Sequence, residues 1–177
     1  MNNPSVLMRI GARYGAIAAV LSISLMIVMF YLGRHPLMVA PFVDFRILLY
    51  GIFIFFALKE YREYHQEGIL YFWQGMVGSF FVVLTAAVLG SLLLYAFGNL
   101  ELNFVPSYVS AMTEYLKGFP EEDIERIGEE AYQRNLESLP ATNMGQIALM
   151  YIVQSFAIGL FVSIILSVIL RKQPKTD

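Results

Sequence analysis

The sequence predicts an all-α fold: an integral membrane four-helix bundle with a short helical extracytoplasmic loop between its third and fourth helices. Three observations predict it. The 177-residue chain is 58% hydrophobic and only 15% charged, where soluble domains run nearer half apolar and a quarter charged. The apolar residues fall in long charge-free runs, which a soluble core does not need. The largest hydrophilic stretch, 98–143, is too short to build much of a core by itself. Residues 1–177 are therefore read as a single membrane domain.

About 20 apolar helical residues cross the roughly 30 Å hydrocarbon layer. The first run, 14–33, lies uncharged between Arg13 and Arg34 and has that length. Arg9 and Arg13 precede it, as in a signal peptide. The run exceeds the usual h-region and no small-x-small site follows, so it reads as a retained span. The third span is read as 76–97 within the uncharged stretch 68–100. Tyr71, Phe72 and Trp73 then form a lead-in at headgroup level. The fourth is 146–170.

The second candidate is short. Residues 47–58 are uncharged but cover only about 18 Å as a helix, a length also open to a re-entrant or interfacial segment. Extending the span to 41–58 supplies the length, with Pro41 in the first turn, and brings in Asp44 and Arg46. Arg46 is open to two readings: an arginine snorkelling to the interface, or a functional intramembrane charge. Asp44 is two residues away, a spacing that does not share a helix face with Arg46.

Lysines and arginines in short loops favour the cytoplasm. With four spans, Arg9, Arg13, Lys59, Arg62, Arg171, Lys172 and Lys175 share one side, against Arg34 and Arg46. Both termini are then cytoplasmic and the 98–143 loop faces outward. A three-span alternative changes only the side of the N-terminus.

The order of features resembles one family. A first span precedes a second that ends in Lys59-Glu60-Tyr61-Arg62-Glu63-Tyr64. Gly68, an aromatic lead-in and a third span through Gly75 and Gly78 follow. An acidic loop carries Pro120-Glu121-Glu122-Asp123-Ile124, and the last span ends Ile169-Leu170-Arg171-Lys172. This is similar to the bacterial domain-of-unknown-function family numbered forty-one ninety-nine, over nearly the whole chain. The resemblance implies four transmembrane helices in a bacterial inner membrane, and no activity. The lead-in Tyr71-Phe72-Trp73-Gln74 is more aromatic and less basic than it leads one to expect.

Helices in lipid associate through small residues that let backbones approach. Gly11, Gly15 and Ala19 are four apart in the first span, and so are Ser155, Gly159, Ser163 and Ser167 in the fourth. Each set shares one face, open to packing within the chain, to a dimer face or to a substrate path. Gln154 needs a partner in lipid, either across helices or on a ligand. Gln74 is expected at the interface.

The outer loop reads as two short helices. Tyr108, Met112, Tyr115, Leu116 and Phe119 recur at amphipathic spacing, a face for the membrane surface or for capping the bundle. Gly118 and Pro120 end that pattern. Glu121, Glu122 and Asp123 then suit the first turn of a second helix, with Glu122–Arg126 and Glu130–Arg134 as pairs four apart. Six acids lie between Glu121 and Glu130, but their helical spacing is not that of a calcium loop.

No chemistry stands out. Cysteine is absent, and His35 and His65 are isolated, without metal-ligand spacing. No nucleophile elbow, P-loop or dinucleotide fingerprint occurs. The net charge of −2 creates no field for nucleic acid. The expectation is a non-enzymatic assembly or interaction protein without cofactor or metal. Its partners would be the bilayer and a second copy or another membrane protein. The alternative is a small transporter or channel subunit using Arg46 and Gln154.

Overall fold

The computed structural model of the chain describes residues 4–40 and 43–173. Among these residues seven α-helices follow one another: α1 (Pro4–Tyr31), α2 (Phe45–His65), α3 (Phe72–Leu100), α4 (Phe104–Lys117), α5 (Glu121–Ile127), α6 (Glu129–Ser138) and α7 (Met144–Ile169). Three of them, α1, α3 and α7, are long and apolar enough to cross a membrane. At 1.5 Å per residue each is about 40 Å long, more than the hydrocarbon layer requires. The fourth long helix, α2, packs against all three but is not of that apolar class.

Residue contacts fix the directions. Phe30 and Phe97 stack edge-on at 5.9 Å, and Tyr31 Oη donates to Glu101 Oε2 at 3.0 Å. The last turns of α1 and α3 therefore meet, and these helices run parallel. Helices α2 and α7 run the opposite way. Arg46 donates to Gln154 at one level, and Arg62 Nη1 donates to the Leu170 carbonyl at 3.3 Å at another. Both bonds join residues 108 apart in sequence, so α2 and α7 are parallel and in constant register. We call the end that carries α4–α6 the cap end and the other the base.

Small residues set the spacing of the long helices. A β-carbon at Gly15 would stand 2.5 Å from the Val82 carbonyl oxygen, and one at Gly159 would stand 2.5 Å from both Val83 methyls. Gly11 meets Phe81, and Gly75 meets Ser167. Gly11 and Gly15 of α1, and Gly159 and Ser167 of α7, thus lie where these helices contact α3 of the same chain, and α3 sits between them.

Several element boundaries differ from the sequence expectation, and α2 runs on to His65, beyond the expected end at 58. Helix α1 extends back to Pro4, so Arg9 and Arg13 are helical. Helix α3 starts at Phe72 rather than 76, so Trp73 and Gln74 belong to its first turn. Gln74 Oε1 accepts from the Tyr71 backbone at 3.0 Å, which caps that turn. Its side chain is fully buried within the protein, and its amide donates to Gln66. Helix α2 starts at Phe45, and Pro41 lies outside the described residues. The outer loop forms three helices, because Gly128 at φ 92° separates α5 from α6. L-residues avoid that left-handed region. Glu130–Arg134 pairs at 2.7 Å, while Arg126 approaches Asp123 instead of Glu122.

Aromatic packing closes the cap end. Phe104 of α4 is fully buried and contacts the rings of Phe30, His35 and Phe97 at 4.8–5.4 Å. Tyr108 is also buried, but Tyr115 of the same stripe is 58% exposed. Only the first half of the amphipathic face caps the helices. At the base, Leu70 and Lys172 exchange two backbone hydrogen bonds of 2.9 Å. Arg13 and Tyr14 of α1 both donate to the Glu60 carboxylate of α2.

Candidate functional site: an ion pair buried among the helices

Helix α2 begins with a polar device. Asp44 precedes it in extended conformation and its Oδ1 accepts from the Arg46 backbone at 2.8 Å, an N-cap that satisfies an otherwise orphaned N–H. The same carboxylate receives the Arg46 side chain. Nε lies 3.0 Å from Oδ1 and 2.9 Å from Oδ2, and Nη2 lies 2.5 Å from Oδ2. Arg46 is 3% exposed and Asp44 5%.

This corrects one expectation and narrows an open choice. The Arg46 side chain turns inward among the helices. Asp44 does pair with it, because Asp44 stands just outside the helix. The rule that residues two apart face different ways holds only within one. An aspartate directly ahead of an apolar helical run is an N-cap signal, and that signal was available in the sequence.

Helix α7 completes the site. Arg46 Nη2 donates to Gln154 Oε1 at 2.9 Å, and Nη1 donates to Ser155 Oγ at 3.3 Å. The guanidinium stands 4.9 Å from the centre of the Tyr151 ring, a cation–π arrangement. Tyr50, Tyr151 and Ser22 are fully buried around this centre, and their hydroxyls make no well-formed hydrogen bond. Their roles were not legible in the sequence, where they read as ordinary span residues. The sequence-singled residues divide accordingly. Arg46, Gln154 and Ser155 come together. Gly11, Gly15, Gly159 and Ser167 lie against α3, and Ser163 Oγ donates to the Gly159 carbonyl at 2.6 Å.

The pair sits at the start of α2 but well inside the length of α7. Gln154 is ten residues into α7, about 15 Å from its start. Lys59 is thirteen residues beyond Arg46 on α2, about 20 Å away. Desolvating two ions this far inside costs several kcal/mol each, offset only when geometry is good and the remaining donors are satisfied. Here the fork is bidentate and the other nitrogens have partners. The arrangement holds charge in place, with the Asp44 carboxylate taken up by Arg46. Among the described residues no three metal-ligating side chains come together.

His35 lies elsewhere, in the connection between α1 and α2. Burial pushes its imidazole down to about 4, only partly opposed by the Phe104 backbone, so the ring is neutral at pH 7. Its Nδ1 accepts from the Leu37 backbone at 3.4 Å.

No curated protein and no solved structure matches the chain. The family described as "Protein of unknown function (DUF4199)" matches residues 13–172, from within α1 to the Leu70–Lys172 pairing at the base, and the chain belongs to that family.

Proposed function

We propose that this chain is a non-enzymatic integral membrane protein that presents its cap helices to a partner. It lies in a bacterial inner membrane with both termini cytoplasmic and the cap end outside. The observation that carries the reading is the contrast between its two polar regions. The charges at depth are taken up by one another, Arg46 by Asp44, Gln154 and Ser155. The charges of α5 and α6 face solvent, with no residue of α5 buried and Tyr132 the one buried residue of α6. Basic residues at the base support the orientation. The parallel course of α1 and α3 supports four crossings, since the chain must return between them through α2.

A photo-crosslinking residue at Glu125 or Arg134, in cells, tests the reading. A protein adduct of one defined mass is expected from these positions and none from lipid-exposed Leu160. No adduct from either cap position would contradict it. An adduct of twice the chain's mass would identify the partner as a second copy.

The depth of the Asp44–Arg46 pair favours a second reading, a small transporter or channel subunit, because intramembrane ionisable groups often mark substrate paths. Liposome flux abolished by Arg46→Ala or Gln154→Ala supports it. Flux unaffected by both counts against it.

A further inference from the structure

An open groove of about 660 Å³ runs along the cap end between the last turns of α1, the connection after it and the second half of α4. Its walls include Met29, Met38, Tyr115 and Phe119, and its charged members are Arg34 and Glu114. Neither Arg34 nor Glu114 forms an ion pair with another described residue. Both are solvent-exposed. The third polar wall residue, His35, is neutral, so Arg34 is the cation of this groove.

Its position matters. Arg34 is the first charge after the uncharged run of α1, so the groove sits where hydrocarbon gives way to headgroups. Tyr115 is 58% exposed and Leu32, at the same end, is 75% exposed. Exposed aromatic rings suit that level. An apolar trough with one unpaired cation and one unpaired anion is complementary to a zwitterionic amphiphile. A guanidinium binds phosphate through a planar fork. A carboxylate accepts hydrogen bonds from a primary ammonium but gets none from a quaternary one, which has no N–H.

We propose that this groove binds one phospholipid of the adjacent leaflet, its phosphate on Arg34, its primary amine on Glu114 and an acyl chain along Met29, Met38, Tyr115 and Phe119. The inference rests on the membrane reading of the three long helices. It does not depend on the partner proposed for α5 and α6, so the crosslinking experiment can fail without touching it.

The test is lipid retention by the purified full chain in detergent, read by native mass spectrometry. Phosphatidylethanolamine, phosphatidylcholine and phosphatidylglycerol of one acyl composition would compete. We expect one tightly held lipid, with the ethanolamine headgroup preferred about tenfold, the equivalent of one charge-assisted bond. Glu114→Gln should abolish the headgroup preference and keep a bound lipid. Arg34→Ala should weaken retention of all three. Both positions are exposed, so the unfolding midpoint in lipid-free detergent should not move. Equal retention of the three lipids, unchanged in both variants, would overturn the proposal, as would a copurified peptide filling the groove.

Discussion

Arg46 of α2 donates to Gln154 of α7 at 2.9 Å, and this bond joins the second residue of one helix to the middle of another. Helix α2 therefore starts about 14 Å deeper than α7, by the 1.5 Å rise over the nine-residue offset. Next to this polar start, Phe45 packs against a buried cluster that includes Leu37 of the connection and Phe104 and Tyr108 of α4. Asp44 serves as cap and counter-ion at once, which lets a helix begin there without an unpaired charge.

Removing one partner of this pair should be worse than removing both. Asp44→Asn keeps the cap but leaves Arg46 buried without its anion, a loss of about 3–5 kcal/mol. Asp44→Asn combined with Arg46→Met should recover a substantial part of that loss. Unfolding midpoints in detergent compare them, and an equal or larger loss in the double variant would count against the pair.

The helix seams predict large effects from small residues. Gly15→Leu and Gly159→Leu each force α3 away from a neighbour, since even a β-carbon meets Val82 or Val83. A loss of about 1–3 kcal/mol is expected for each. It should appear as reduced stability of the single chain, independent of protein concentration. A loss that appears only as dissociation of a dimer would reassign the stripes to an interface between copies.

His35 should make the cap sensitive to acid. Its ordinary value near 6.5 falls to about 4 in the fold because burial disfavours the charged ring. The unfolded chain thus binds the proton first, so the folded state is fully stable above about pH 6.5 and loses stability as pH falls from there toward 4. The full shift corresponds to about 3.4 kcal/mol, and the partial exposure of the ring screens the loss to less than that. His35→Phe should flatten this part of the pH profile, measured by unfolding in detergent between pH 7 and 4.

Gly128 should resist substitution. At φ 92° it holds α5 and α6 apart, and alanine there costs about 1–2 kcal/mol or joins the two helices. Circular dichroism would show either the same helix content with a lower midpoint or a gain of helix. No change in either would mean that the break is not required.

The legible part of the fold was its charge-free material. The runs 14–33 and 146–170 map onto α1 and α7, and 76–97 falls within α3, because an uncharged stretch of span length has few other uses. The less legible part was the start of α2. Its charges shortened the apolar run, and Asp44 was weighed as a helical neighbour when it is a cap. Gly128 was missed because the acids on either side of it keep helical spacing. The hydroxyls of Tyr50, Tyr151 and Ser22 were invisible because their importance depends on which helix faces Arg46, a tertiary fact.

In the proposed topology α1 and α3 cross in the same direction, with α2 returning between them. The chain contains no cysteine, so single cysteines report their side without background. Ser5→Cys and Glu125→Cys, each exposed to an impermeant maleimide, test it most directly. Glu125→Cys should be labelled on intact cells and Ser5→Cys only after the membrane is opened. Labelling of both positions on intact cells would contradict it.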